Sequence, residues 1–211
     1  MPKYPFKKKA SRKTKAVRMV PYKPEMKFYD TGNAAGAIPA GPASVIVSSI
    51  NLVVNGAGPS ARIGRKIRVH KIEYAVSLLC NFAAPLATDT VQFDLWLDRS
   101  ANGTAPTPVQ LYTAALVPGT NQYPNLFNEE RFKRLHTEEH IFQPQPSIGA
   151  ASAQALYKME GVVKCNYTIE FTGSTGAVAD IASNNLVPVY SSDNGYCALN
   201  AAFYRIHYTD A

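Results

Sequence analysis

The chain has 211 residues and a mass of 23.0 kDa, a length that one all-β sandwich or barrel fills alone. With 46% hydrophobic and 18% charged residues it is too apolar to remain unfolded and must bury a core. No apolar run approaches a membrane span, and the first residues carry charge and proline where a signal peptide needs an apolar stretch. Neither membrane spanning nor classical secretion is expected.

The formal charge of +7 is unevenly placed. Residues 1–27 hold ten cations, Lys3, Lys7, Lys8, Lys9, Arg12, Lys13, Lys15, Arg18, Lys23 and Lys27, against Glu25 alone, for a net +9. The other 184 residues hold 12 basic and 14 acidic side chains, for a net −2. Prolines 2, 5, 21 and 24 and the lack of apolar periodicity predict a basic N-terminal arm, 1–27, that is disordered when free. The Gly, Pro and Ala rich span 28–43 reads as a linker, leaving 44–211 as the domain. Clustered cations neutralise phosphates without a defined backbone path, and counterion release supplies sequence-blind, salt-dependent affinity. Tyr4, Phe6 and Tyr22 can stack on unpaired bases. A merely solubilising tail is the bland alternative, but confinement of the charge to one end favours nucleic acid. The same cluster has the composition of a nuclear localisation signal.

From Ser44 onward the period is two. SVIVSSINLVV, 44–54, is a β-branched run stopped by Asn55-Gly56. In the long run from Ile63 to Phe82 the apolar positions switch from odd (Ile63, Ile67, Val69) to even (Ile72, Tyr74, Val76, Leu78), which predicts a β-bulge near His70 and Lys71. Val91, Phe93, Leu95 and Leu97 alternate with Gln92, Asp94, Trp96 and Asp98, and the Asn102-Gly103 turn follows. RFKRLHTEEHIF, 131–142, fits helix or strand. Between 157 and 171 one face is Tyr157, Met159, Gly161, Val163, Cys165, Tyr167, Ile169 and Phe171, opposite a polar face. Short runs at 177–182 and 185–190 precede 196–209, apolar on both faces and so expected to be central. About eight strands with no required helix predict an all-β, antiparallel sandwich or barrel. Cys80, Cys165 and Cys197, odd in number and set in apolar runs, read as reduced core thiols.

The basic arm, Asn55-Gly56, Arg62-Ile63-Gly64-Arg65-Lys66-Ile67 at the head of a long strand, Leu97-Asp98-Arg99 with Asn102-Gly103, Arg131-Phe132 with Leu135, Asn185-Leu186 and the closing Arg205-Ile206-His207-Tyr208-Thr209-Asp210 together resemble the capsid proteins of small circular single-stranded DNA viruses. Similar coats occur in satellite RNA viruses of plants. The resemblance spans nearly the whole chain and implies a single eight-stranded jelly roll, self-assembly of about sixty copies into the smallest icosahedral shell (T=1), and packaging of a single-stranded DNA genome by the arm. It also implies a virion location, with passage through the host nucleus by the import machinery, no enzymatic activity and no cofactor.

Other motifs have plainer readings. Arg62, Arg65, Lys66 and Arg68, with Lys71, form a second basic stretch that can line the inner surface of a shell or a subunit contact; a solvated face is the alternative. His136-Thr137-Glu138-Glu139-His140 matches the inverted zinc-protease pattern, but on a strand two histidines four apart are separated by about 13 Å, which one zinc cannot bridge. Gly56-Ala57-Gly58-Pro59-Ser60-Ala61 matches a loose dinucleotide pattern without the helix it needs, and reads as a hairpin loop. Asp94, Asp98, Glu129 and Glu130 lack calcium-loop spacing and read as solvated carboxylates. His70 and His207 read as packed strand histidines. No metal site is expected. A non-viral nucleic-acid-binding β-barrel would share the tail but remain a monomer or small oligomer.

Overall fold

The structure, a computed structural model, describes residues 24–40, 46–82, 88–113, 123–143 and 153–211. The cations expected in the arm from Lys3 to Lys23 lie outside the described residues. Among the described residues ten strands form: β1 (Lys27–Asn33), β2 (Gly36–Ala37), β3 (Ile46–Val47), β4 (Lys66–Phe82), β5 (Asp89–Asp98), β6 (Phe132–Phe142), β7 (Ala153–Phe171), β8 (Ile181–Ser183), β9 (Asn185–Ser192) and β10 (Cys197–Asp210). One sheet runs β1-β10-β4-β7-β8 with β2 also on β10, and the other runs β3-β9-β5-β6.

Leaving aside the short β2 and β8, the eight remaining strands nest. The first pairs antiparallel with the last (β1 with β10), the second with the seventh (β3 with β9), the third with the sixth (β4 with β7) and the fourth with the fifth (β5 with β6). That nesting is a jelly roll, the single eight-stranded antiparallel sandwich expected from the sequence. As expected, β10 is central in its sheet, flanked by β1 and β4.

Alternation decides which side chains enter the core. Ile67, Val69, Ile72, Tyr74, Val76 and Leu78 of β4 are buried against Met159, Val163 and Ile169 of β7 and Val91, Phe93, Leu95 and Leu97 of β5. Both ladders of β4 slip between Val69 and Lys71: against β10, His70 is the extra residue that shifts the apolar positions from odd to even, and against β7 the extra residue lies on β7, where Cys165 and Asn166 stand opposite His70. The bulge lies where the parity switch places it. The segment 131–142 is a strand, β6, whose Leu135 is likewise bulged.

The second face of the β5 sheet is covered rather than solvated. Trp96, Val187 and Val189 pack there with Phe132 and with Leu111 and Tyr112, at the end of the short helix α1 (Pro108–Leu111). Gly103 permits the turn that launches this cover: its φ is +71°, and a Cβ would lie 3.2 Å from the Ala179 backbone. Asp94 and Asp98, expected to be solvated, are therefore fully buried. Asp98 accepts both guanidinium bonds of Arg131 at 2.8 Å, and Asp94 accepts from Tyr112 Oη at 2.7 Å and Gln92 Nε2 at 2.8 Å.

Four further expectations are corrected. Residues 28–43 are not simply a linker, because β1 pairs residue by residue with β10 from Lys27↔Tyr208 to Asn33↔Ala202, and Ile38 is fully buried. A seven-residue edge strand needs only one inward row, here Lys27, Tyr29, Thr31 and Asn33, and the neighbouring Gly and Ala obscure it. In the run 44–54, the described residues 46–54 form a regular strand only at Ile46–Val47. Its partner β9 carries Pro188, which accepts from Ser48 N but has no N–H to return, and beyond it Asn51 and Asn185 side chains replace ladder bonds. Gly56–Ala61 links one sheet to the other rather than closing a hairpin.

The fourth correction concerns the cysteines. Cys80 and Cys197 are direct partners across β4 and β10 and form a disulfide. Register, not spacing, brings them together across 117 residues. Cys165 is free, and burial raises its thiol pKa to about 11. At pH 8 only about a thousandth of it is thiolate, so native protein is expected to react with iodoacetamide far more slowly than protein in urea. Equal rates in the two states would contradict this packing.

Candidate nucleic-acid interface

The start of β1, the start of β4, the end of β7 and the end of β10 meet at one corner of the sandwich, because β10 is antiparallel to both β1 and β4, and β4 to β7. Asp210 is its hub. Its carboxylate takes Lys27 Nζ at 2.8 Å and Ile63 N at 2.8 Å, while Lys27 Nζ also donates to the Ala61 carbonyl at 3.0 Å. Lys27, expected among the phosphate-binding cations, is only 7% exposed and clamps the start of β1 to the body. Residues 24–26 therefore leave the body at this corner.

The second basic stretch divides here into two kinds of residue. Arg62 is fully buried, not part of a surface. Its Nε donates to the Val53 carbonyl at 3.0 Å, its two terminal nitrogens donate to the carbonyls of Gly64 and Gly173, and its guanidinium lies 4.1 Å from the centroid of the Phe171 ring. Burial lowers its pKa, an effect opposed by Asp180 and Asp210, and an arginine stays charged regardless. Arg65, Lys66 and Arg68 are exposed beside the exit of the N-terminal segment. Lys66 Nζ contacts Glu170 at 2.5 Å, and Arg68 Nε donates to Asn166 Oδ1 at 2.6 Å. Pairs this exposed contribute little to stability and release their cations readily to a denser anion. At one corner the fold thus brings residues 24–27 beside a basic stretch dozens of residues away in sequence.

The histidines of the HTEEH segment do different work. On β6 they are four strand residues apart, and each has its own neighbours. Tyr74 reaches across the sandwich from β4, its Oη 2.8 Å from His136 Nε2 and donating to Glu138 Oε2 at 2.8 Å. Gly161 makes room for it, since a Cβ there would lie 2.6 Å from that oxygen. Desolvation first, then Glu138, pushes the phenol pKa up, so Tyr74 stays a donor joining the sheets. His140 stacks on Tyr157 with its ring centroid 3.4 Å away, and burial lowers its pKa. Sequence reasoning missed this trio because Tyr74 enters from the opposite sheet. His70 and His207 pack as strand residues, His70 against Thr209 at 3.0 Å and His207 beside Glu73 at 3.1 Å.

Cys80, Asp89 and Cys197 bring three candidate metal ligands within 4.8 Å of one another. The donor set does not fit a metal. Both sulfurs are bonded to each other, and the Asp89 carboxylate already accepts from Ser192 Oγ and from the backbone N–H groups of Asn194, Tyr196 and Cys197. Its role is to hold the turn from β9 into β10.

No protein-family model and no curated protein matches the chain. Among solved structures, it is similar to a chain in the cryo-EM structure of broad bean stain virus, with 11% identity, a TM-score of 0.30, and coverage of 93% of this chain and 91% of that one. A likeness at that score carries no argument; the fold assignment rests on the nested strand pairing.

Proposed function

We propose that the chain is the coat protein of a small single-stranded DNA virus. About sixty copies close the smallest icosahedral shell, and the cationic N-terminal segment gathers the genome inside it. The observation that supports this reading is at one corner: residues 24–26, which follow the sequence segment holding nine of the 22 Lys and Arg, lie there beside Arg65, Lys66 and Arg68. A polyanion held there meets one continuous basic field, while the rest of the body stays nearly neutral and free for protein contacts. Sixty copies at +9 each supply roughly 540 charges, enough to offset a substantial part of a genome on the order of a thousand or more nucleotides. The jelly roll supports a structural rather than enzymatic role, and the Lys7-Lys8-Lys9 cluster fits import into the host nucleus before assembly. The resemblance in sequence favours DNA over the RNA of satellite-like coats.

Negative-stain imaging of the purified full chain, followed by nuclease treatment and extraction of protected nucleic acid, tests the proposal. Uniform small spheres holding DNase-sensitive material after disruption are expected. RNA in the spheres would transfer the reading to an RNA virus coat, and a nucleic-acid-binding monomer would leave only the β-barrel alternative.

A further inference from the structure

Asparagine followed by glycine is the pair most prone to spontaneous deamidation, because the glycine nitrogen, with no Cβ beside it, can reach the asparagine side chain. The chain has three such pairs, Asn55-Gly56, Asn102-Gly103 and Asn194-Gly195. The reaction requires the glycine nitrogen to lose its proton and turn onto the asparagine Cγ. A hydrogen bond from that N–H to an acceptor opposes both steps.

The fold sorts the three pairs by this criterion. Gly56 N donates to the Arg62 carbonyl at 3.0 Å, and Asn55 N donates to the Ser174 carbonyl at 3.1 Å. Gly195 N donates to Ser192 Oγ at 2.8 Å, and the Asn194 side chain donates to the Thr88 carbonyl at 2.8 Å. At the third pair Asn102 is exposed, and neither its side chain nor Gly103 N has a hydrogen-bond partner among the described residues. The chain on either side of it is held. Arg99 N donates to the Arg131 carbonyl at 2.8 Å, Ser100 N donates to Asp98 Oδ1 at 3.1 Å, and Ala101 is fully buried. Beyond the pair, Thr107 N donates to Gln110 Oε1 at 2.8 Å where α1 begins.

We propose that Asn102 is a modification site, the asparagine at which the folded chain deamidates first, and that its conversion loosens the cover over the β5 sheet. Hydroxide takes the Gly103 amide proton and the nitrogen attacks Asn102 Cγ. The Cγ–Nδ2 bond then breaks and ammonia leaves, taking a proton from water and closing a succinimide ring. A second water opens the ring at either carbonyl, giving aspartate in the original backbone or isoaspartate, whose backbone runs through the side chain and is one methylene longer. The net change is water in and ammonia out, with no oxidant or reductant. Aspartate adds only a charge at an exposed position. Isoaspartate lengthens the chain between buried Ala101 and Gly103, and Gly103 lies so close to Ala179 that even a Cβ would be 3.2 Å from its backbone. The added length cannot settle inward, so it displaces the loop that leads to Leu111 and Tyr112 over Trp96. None of this depends on the coat-protein reading.

The test incubates the full-length chain at pH 8, native and in urea, and follows the three Asn-Gly peptides by mass spectrometry. In urea the three are expected to react at similar rates. In the native chain Asn55 and Asn194 are expected to fall roughly tenfold behind Asn102, the rate equivalent of one hydrogen bond that must first break. The first acidic species resolved by cation exchange should be missing from Asn102→Gln, whose longer side chain closes its ring far more slowly. The isoaspartate form, separated from the aspartate form, is expected to melt below the parent, while the encoded Asn102→Asp melts with it. Native deamidation at Asn55 or Asn194 as fast as at Asn102, or Asn102 protected as strongly as they are, would overturn the site. A fast Asn102 whose isoaspartate form melts with the parent would support the site and overturn its effect on the cover.

Discussion

Cutting the chain before residue 24 is expected to flatten the salt dependence of its binding to single-stranded DNA. Residues 1–23 carry nine Lys or Arg and no acid. Each phosphate neutralised on a single strand contributes about −0.7 to the slope of log K against log salt, so these nine cations add roughly −6 to what the body supplies, a further loss of affinity of several thousandfold between about 50 and 200 mM salt. The truncated chain keeps Arg65, Lys66 and Arg68 and should show a slope near about −2. Fluorescence anisotropy of a labelled oligothymidine over a salt series measures both, and an unchanged slope would place the binding surface on the body. The cut must spare Lys27. Removing β1 would expose the edge of β10 and strip Asp210 of its clamp, so a truncation before residue 34 is expected to aggregate instead of reporting on nucleic acid.

What could be read from sequence follows the range of the physics involved. Strand identity and facing in β4, β5 and β7 are local, because a period of two in apolar residues must place one row in the core, and the His70 bulge is a break in that period. The fate of RFKRLHTEEHIF was likewise decided by its all-β surroundings. Partners across sheets are not local. Nothing in spacing shows that Cys80 lies opposite Cys197, that Tyr74 reaches His136 and Glu138, or that Asp210 closes on Lys27. Charge was a poor guide to exposure for the same reason. Arg62, Asp94 and Asp98 look like surface residues until the loops that cover them are in place. For the candidate interface, composition pointed to the arm and to the second basic stretch, but only the antiparallel pairing of β1, β4 and β10 shows that residues 24–27 and the second stretch share a corner.

Arg62 separates a structural cation from a binding one. All three of its nitrogens donate, one bond each, to the carbonyls of Val53, Gly64 and Gly173, which belong to the loop before β4 and the turn after β7, while its planar face rests on Phe171. Arg62→Ala would leave buried acceptors without donors and open a cavity against that ring, for a cost of about 3–5 kcal/mol. In a chain of this size that lowers the melting temperature by roughly 10 °C. Arg62→Lys is expected to recover only part of the loss, since an ammonium can reach one or two of these carbonyls but cannot span the fork or stack. Urea denaturation gives the stability of all three proteins, and the same oligothymidine titration gives their salt slopes. Stability should fall in both variants while the slope holds. The reverse pattern, unchanged stability with a slope shallower by about 0.7, would make Arg62 a phosphate contact and would require the corner to open when nucleic acid binds.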